Sequence, residues 1–144
     1  MNKIESQSAL KFVLAGKSLF TIRNETTGNR FTYKVTDLRR IDPRAEKEIY
    51  FVKVLTGADN TNDYRFIGSV QKNGHLFYKH SNKAKITEEA QSVKAFKWFL
   101  GIAQKEIPEF IGVYHEGRCG RCGKTLTVPE SIEAGFGPEC ITKL

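Results

Sequence analysis

The chain is poor in the residues that would assign it to several large classes. In 144 residues it carries 3 cysteines, 3 histidines, 1 tryptophan and 1 methionine. So few thiols, and an odd number, cannot build the disulfide framework of a small secreted scaffold. No stretch approaches the roughly 20 consecutive apolar residues that cross a bilayer, and the start, Met1-Asn-Lys-Ile-Glu-Ser6, lacks a basic segment followed by an apolar run. Internal repeats and low-complexity segments are also missing, which excludes solenoids and tails. With 40% hydrophobic residues, this length supports one modest core and a small appendage. A soluble, cytoplasmic protein is expected.

What the chain has in excess is positive charge. Lysine and arginine number 23 against 16 acidic residues, a formal net charge of +7. Such a balance favours polyanionic partners through counterion release, although basic chains also arise for reasons of solubility.

The three cysteines are not scattered. With one histidine they read H-x3-C-x2-C-x17-C over His115, Cys119, Cys122 and Cys140. Zn²⁺ takes four ligands in a tetrahedron, three thiolates and an imidazole form a common structural set, and C-x2-C is the spacing that a tight turn folds around one metal. Gly120 and Gly123 suit that turn, supplying positive φ or unhindered N–H groups near the sulfurs. Gly135-Phe-Gly-Pro-Glu-Cys140 suits a second turn that returns the third thiolate. His115 is the fourth ligand on this reading. Glu116, Glu139, His75, His80 and a cysteine of a second chain are the other donors for that position, and three free thiols in a reducing cytosol are the bland reading.

The remaining pattern is that of an α+β chain. Apolar Ala9, Leu10, Val13 and Leu14 recur at helical spacing over Ser6 to Ala15, with Gly16 as the residue that ends the helix. Ser18 to Asn24 and Arg30 to Thr36 alternate around Glu25-Thr-Thr-Gly28, a hairpin with Phe20, Ile22, Phe31, Tyr33 and Val35 on its inner face. Ile49 to Thr56, Tyr64 to Val70 and His75 to Lys79 continue an antiparallel meander of about five strands, the last two joined by a turn at Lys72-Asn-Gly74. Ser92 caps a helix over Val93 to Glu106 whose apolar side covers one sheet face. Ile111 to Tyr114 runs extended into the metal site, and Pro129 to Gly135 forms a short helix. Two units are expected: a sheet domain over 1–110 and a small, treble-clef-like zinc knuckle over 111–144.

The knuckle and its surroundings resemble a known family. The run from His115 to Cys140 is similar to the C-terminal signature of small bacteriophage and prophage proteins of unknown function, and Phe12 to Gly16, Thr27 to Tyr33 and Val54 to Asn60 resemble it too. The resemblance implies a metal site on the three cysteines and His115, and a viral origin with the host cytoplasm as the working compartment. It implies no activity.

Four protein ligands would leave zinc no open position for a water, which argues against hydrolysis and makes the metal a staple. Deaminase chemistry is excluded separately, because His115-Glu116 lacks the H-x-E spacing. No enzyme is expected. Two surfaces instead suggest nucleic-acid binding. Arg118, Arg121 and Lys124 surround the C-x2-C turn, and their alternative part is to offset the thiolate charge. On the sheet face away from the helix, Arg23, Arg30, Lys34, Lys53, Arg65 and Lys79 alternate with Phe51 and Phe77, a mixture suited to single-stranded DNA or RNA; the alternative is an ordinary wet sheet face. Trp98 is exposed to the same choice between packing and stacking. The competing class is a protein-interaction module that engages a host protein, as a takeover or anti-defence factor.

Overall fold

A computed structural model describes residues 2–59 and 61–144; the opening Met1 and Asn60, which ends one of the stretches carrying the resemblance, lie outside them. The chain is α+β around one antiparallel sheet of seven strands in the order β1-β7-β2-β3-β4-β5-β6. Five of these, β2 (Lys17–Asn24), β3 (Arg30–Asp37), β4 (Tyr50–Leu55), β5 (Tyr64–Asn73) and β6 (His75–His80), form the meander read from the alternation. The first hairpin turns through Gly28 at φ 81°, and the last through Gly74 at φ 76°. Both positions need the left-handed conformation that glycine adopts without a Cβ penalty.

Two strands extend the sheet beyond the meander. β7 (Ile111–His115) pairs with β2, placing Val113 opposite Ile22 and His115 opposite Phe20, and β1 (Asn2–Ile4) closes the edge by pairing Ile4 with Val113. The segment that carries the cysteines is therefore led out of the sheet interior by a strand buried on its inner face. The presumed boundary at 110/111 falls immediately before that strand.

Helices α1 (Ser6–Val13) and α3 (Gln91–Ala103) cover the inner face. Phe96 packs on Tyr33 and Tyr78, Phe99 on Phe20, and the Tyr33 hydroxyl donates to the carbonyl of Ser92 at 2.7 Å. α3 starts and stops earlier than the sequence reading placed it. Ala90 occupies the cap position with no side-chain cap, Ser92 lies inside the first turn, and the helix ends at Ala103, before Pro108. α1 likewise ends at Val13, capped by Leu14, so Gly16 leads into β2 instead of closing the helix. The charged connection after β3 folds a single turn, α2 (Leu38–Ile41), whose first N–H groups are served by Asp37. Past β7 come α4 (Pro129–Ala134), closed by Gly135 at φ 80°, and a 3-10 turn at Cys140–Lys143.

Phe12 joins these parts. Its ring is fully buried and meets His115 at 5.7 Å and Phe136 at 5.6 Å between centroids. A methyl group at Gly120 would lie 2.6 Å from the Phe12 ring, so the C-x2-C turn sits directly on α1. Phe12→Ala should destabilise the protein by about 3–5 kcal/mol, the cost of truncating a buried phenylalanine. Chemical denaturation would show this, and a loss below about 1 kcal/mol would remove Phe12 from this part.

Candidate metal centre

The knuckle is a small hairpin docked at the start of β2. Cys119 N–H donates to Lys124 C=O at 2.8 Å, Gly123 N–H to Cys119 C=O at 2.9 Å and Leu126 N–H to Gly117 C=O at 2.7 Å. Gly123 takes φ 80°, as the spacing implies, whereas Gly120 is needed for its close approach to Phe12. Lys17 N–H donates to Gly120 C=O and Gly120 N–H to Gly135 C=O, so the turn is tied on one side to the sheet and on the other to the end of α4.

This arrangement brings the three sulfurs together. Ligand atoms of Cys119, Cys122 and Cys140 lie within 4.8 Å of one another. Cys119 and Cys140 are buried and Cys122 is half-buried. Burial of Cys119 opposes its thiolate, but N–H groups of Gly137, Cys122 and Arg121 aimed at the sulfur outweigh that and bring its pKa down to about 7. Burial pushes the Cys140 thiol up, partly countered by the Arg121 guanidinium 3.7 Å from its sulfur. Amide donors trained on a sulfur before any metal arrives are what a thiolate ligand requires.

His115 does not join this group. Among the described residues the cluster holds the three thiols and no histidine or carboxylate. The imidazole is fully buried, its Nε2–H donates to the carbonyl of Ile132 at 2.6 Å, and its Nδ1 accepts the Gly117 N–H at 3.0 Å. Both ring nitrogens are occupied and the tautomer is fixed by the chemistry of the partners. Burial holds its pKa below the usual histidine value, so the ring is neutral. A metal at either nitrogen would displace the hydrogen bond to Ile132 C=O or to Gly117 N–H, both part-buried. The sequence did carry a signal for this, since alternation along Ile111, Val113 and His115 points the ring inward. His75 and His80 belong to β6, and Glu116 accepts from the Thr21 hydroxyl on the sheet face. With His115 outside the thiol cluster, the four protein donors that argued against an open position are not brought together here.

The cations around the turn separate into two groups. Arg121 and Lys124 line a cavity of about 430 Å³ that opens on the three cysteines. Arg118 is not part of that cavity wall: its guanidinium donates to the Gly123 carbonyl at 3.4 Å, and its charge, with that of Lys53, adds to burial in lowering the Lys34 pKa, burial being the largest cause.

Strand register places Arg23, Arg30, Lys34, Lys53, Lys79, Phe51 and Phe77 on the face opposite α1 and α3. Arg65 is not among them. The register of β4 with β5 shifts at Val52/Lys53, so Arg65 pairs with Val54 on the inner side and reaches out from the strand end to Asn62 C=O at 3.0 Å. Phe66 and Tyr64 take outer positions that the sequence reading missed, opposite Lys53 and Leu55. Phe66 meets Phe51 edge to face at 5.5 Å, and Lys34 Nζ lies 4.1 Å above the Tyr64 ring. The alternation of Tyr64 and Phe66 was visible; the bulge was not. Trp98 lies elsewhere, stacked on Phe110 at 6.3 Å, each ring 44% exposed.

Cys122→Ser should abolish metal binding and open residues 116–144 to hydrogen exchange while the β2–β6 meander stays protected, because a short polar segment lacks the apolar area to fold unaided. Uniform protection without metal would contradict the staple. His115→Ala should instead keep the metal stoichiometry and lower stability by about 2–4 kcal/mol, from the cavity and the two half-buried backbone groups that lose their partner. Loss of metal at unchanged stability would restore His115 as a ligand. Residues 112–144 match the sequence model of DUF6011, a family of unknown function; the stretches at 12–16, 27–33 and 54–60 lie outside that match. Searches of curated proteins and of solved structures gave no match.

Proposed function

We propose that this chain is a zinc-stapled module that binds single-stranded nucleic acid across the exposed face of its sheet. The metal reading rests on the thiol cluster, whose soft donors and four-coordinate preference suit zinc. Zinc here acts as a staple, and no catalytic step is assigned to it.

One observation carries the nucleic-acid reading. Lys34 and Lys53 stand directly opposite each other on β3 and β4, and Arg118 adds a third cation beside them. Like charges in facing positions cost stability. None of the three, nor Arg30 or Lys79, makes an ion pair among the described residues. An anionic ligand would relieve that repulsion. The neighbouring aromatic groups fit the same ligand: Phe51 and Phe66 edge a cavity of about 350 Å³ that also presents Gln71, Lys79 and Asn82, with Phe77 on the next strand. Phosphates would pair with the cations while bases stack on the rings, a division that tolerates any sequence. Glu25, close to Arg23 and accepting from the Tyr114 hydroxyl, marks the edge where the anion-friendly region stops.

A second reading, contact with a host protein, draws support from the exposed Trp98 and Phe110 pair, an aromatic surface of the type found in protein interfaces.

Salt dependence separates the two. Binding to a single-stranded oligonucleotide should weaken steeply between about 50 and 200 mM salt. Replacing Lys34, Lys53 and Arg118 together by glutamine should reduce the slope of log affinity against log salt by about two units, at ~0.7 per lost phosphate contact on a single strand. Phe51→Ala and Phe66→Ala should each cost about 1–3 kcal/mol of binding with the slope unchanged. No binding at low salt, or salt-insensitive capture of one protein through Trp98, would overturn the nucleic-acid reading.

A further inference from the structure

The geometry points to a metal centre with three protein ligands and a fourth position that takes a small anion from solution. The inference rests on the metal reading above and goes beyond it. A tetrahedral ion held by Cys119, Cys122 and Cys140 leaves one vertex, directed away from the sulfurs. These cysteines form part of the wall of the 430 Å³ cavity, which gives a small ligand an approach to an ion they would hold. The imidazole that would have closed the site is committed to Ile132 and Gly117. The single carboxylate on the cavity wall, Glu139, is outside the 4.8 Å group.

The chemistry of the wall selects the sign of the ligand. A divalent ion with three thiolates carries a net charge of about −1, and by itself disfavours a further anion. Arg121, Lys124 and Lys143 line the same cavity and reverse that preference. The guanidinium of Arg121 lies beside the Cys140 sulfur, which places positive charge at the rim of the coordination sphere. A small anion entering here is bound by the metal on one side and by cations on the other. The two parts assigned to the knuckle cations in the sequence reading thus fall to different residues. Arg118 serves the sheet face, whereas Arg121 and Lys124 serve the metal.

The test uses the full chain with Co²⁺ in place of zinc, in imidazole-free buffer at constant ionic strength, and azide as the probe. Metal stoichiometry is measured first. One metal per chain with a saturable change of the visible ligand-field bands on azide addition is the expected result. Lys124→Gln and Lys143→Gln should each weaken azide by about two- to fivefold at unchanged stoichiometry, the size of an exposed charge pair. Arg121→Gln should act in the same direction, and the two lysine variants carry the test if it disturbs Cys140. An unchanged spectrum at high azide, together with a spectrum altered by Glu139→Gln, would overturn the proposal by closing the site with Glu139. A four-sulfur spectrum that appears only with dimer formation would overturn it in favour of a partner's thiol. Failure to bind metal at all would take down the metal reading itself, and is read from the stoichiometry alone.

Discussion

The imidazole of His115 is the join on which the lower half of the molecule depends. It ends β7, a strand fixed on both sides by β1 and β2, and it spans to Ile132 in α4 and Gly117 at the base of the knuckle. Being neutral and doubly hydrogen-bonded, it is tolerated in a core that would reject an unpaired polar group. Phe12 stacks against it and against the C-x2-C turn, so α1, the sheet and the knuckle share one packed seam. This seam and the amides aimed at Cys119 lie beside the three thiols and frame their cluster.

That seam also sets where charge can go. Because the knuckle is held against α1 by Phe12 and against the start of β2 by Lys17, its loop sits where β2 begins. The charge of Arg118 then acts on Lys34, while Arg121 remains beside Cys140. A C-terminal segment of polar composition thereby becomes continuous with an aromatic and basic sheet face some eighty residues upstream in sequence. The basic sheet face and the thiol cluster are thus neighbours in the fold.

Much of this was legible in the sequence, and the failures have physical causes. The meander was readable because the first hairpin alternates, Ile49 to Thr56 is a nearly continuous apolar run, and turns carry glycine where φ must be positive, at Gly28 and Gly74. β1 was not, since three residues offer no period, and its partner lies more than a hundred positions away at Val113. The thiol triad was readable because C-x2-C is a local geometric constraint. His115 was assigned to the metal because H-x3-C is also a ligand spacing; the carbonyl that its Nε2 meets here, seventeen residues on, is a product of tertiary packing. Arg65 was placed on the wrong face by assuming unbroken alternation through a strand that bulges near Ile67 and Gly68. Periodicity shows which residues share a face only while the register is continuous.

The central claim, that three cysteines hold the metal while His115 holds the fold, is tested most directly by X-ray absorption at the zinc edge on protein free of tag and imidazole. The account predicts three sulfur scatterers at about 2.3 Å and one lighter oxygen or nitrogen donor, with no outer-shell scattering from an imidazole ring. Imidazole scattering from a single histidine, lost on His115→Ala, would contradict it.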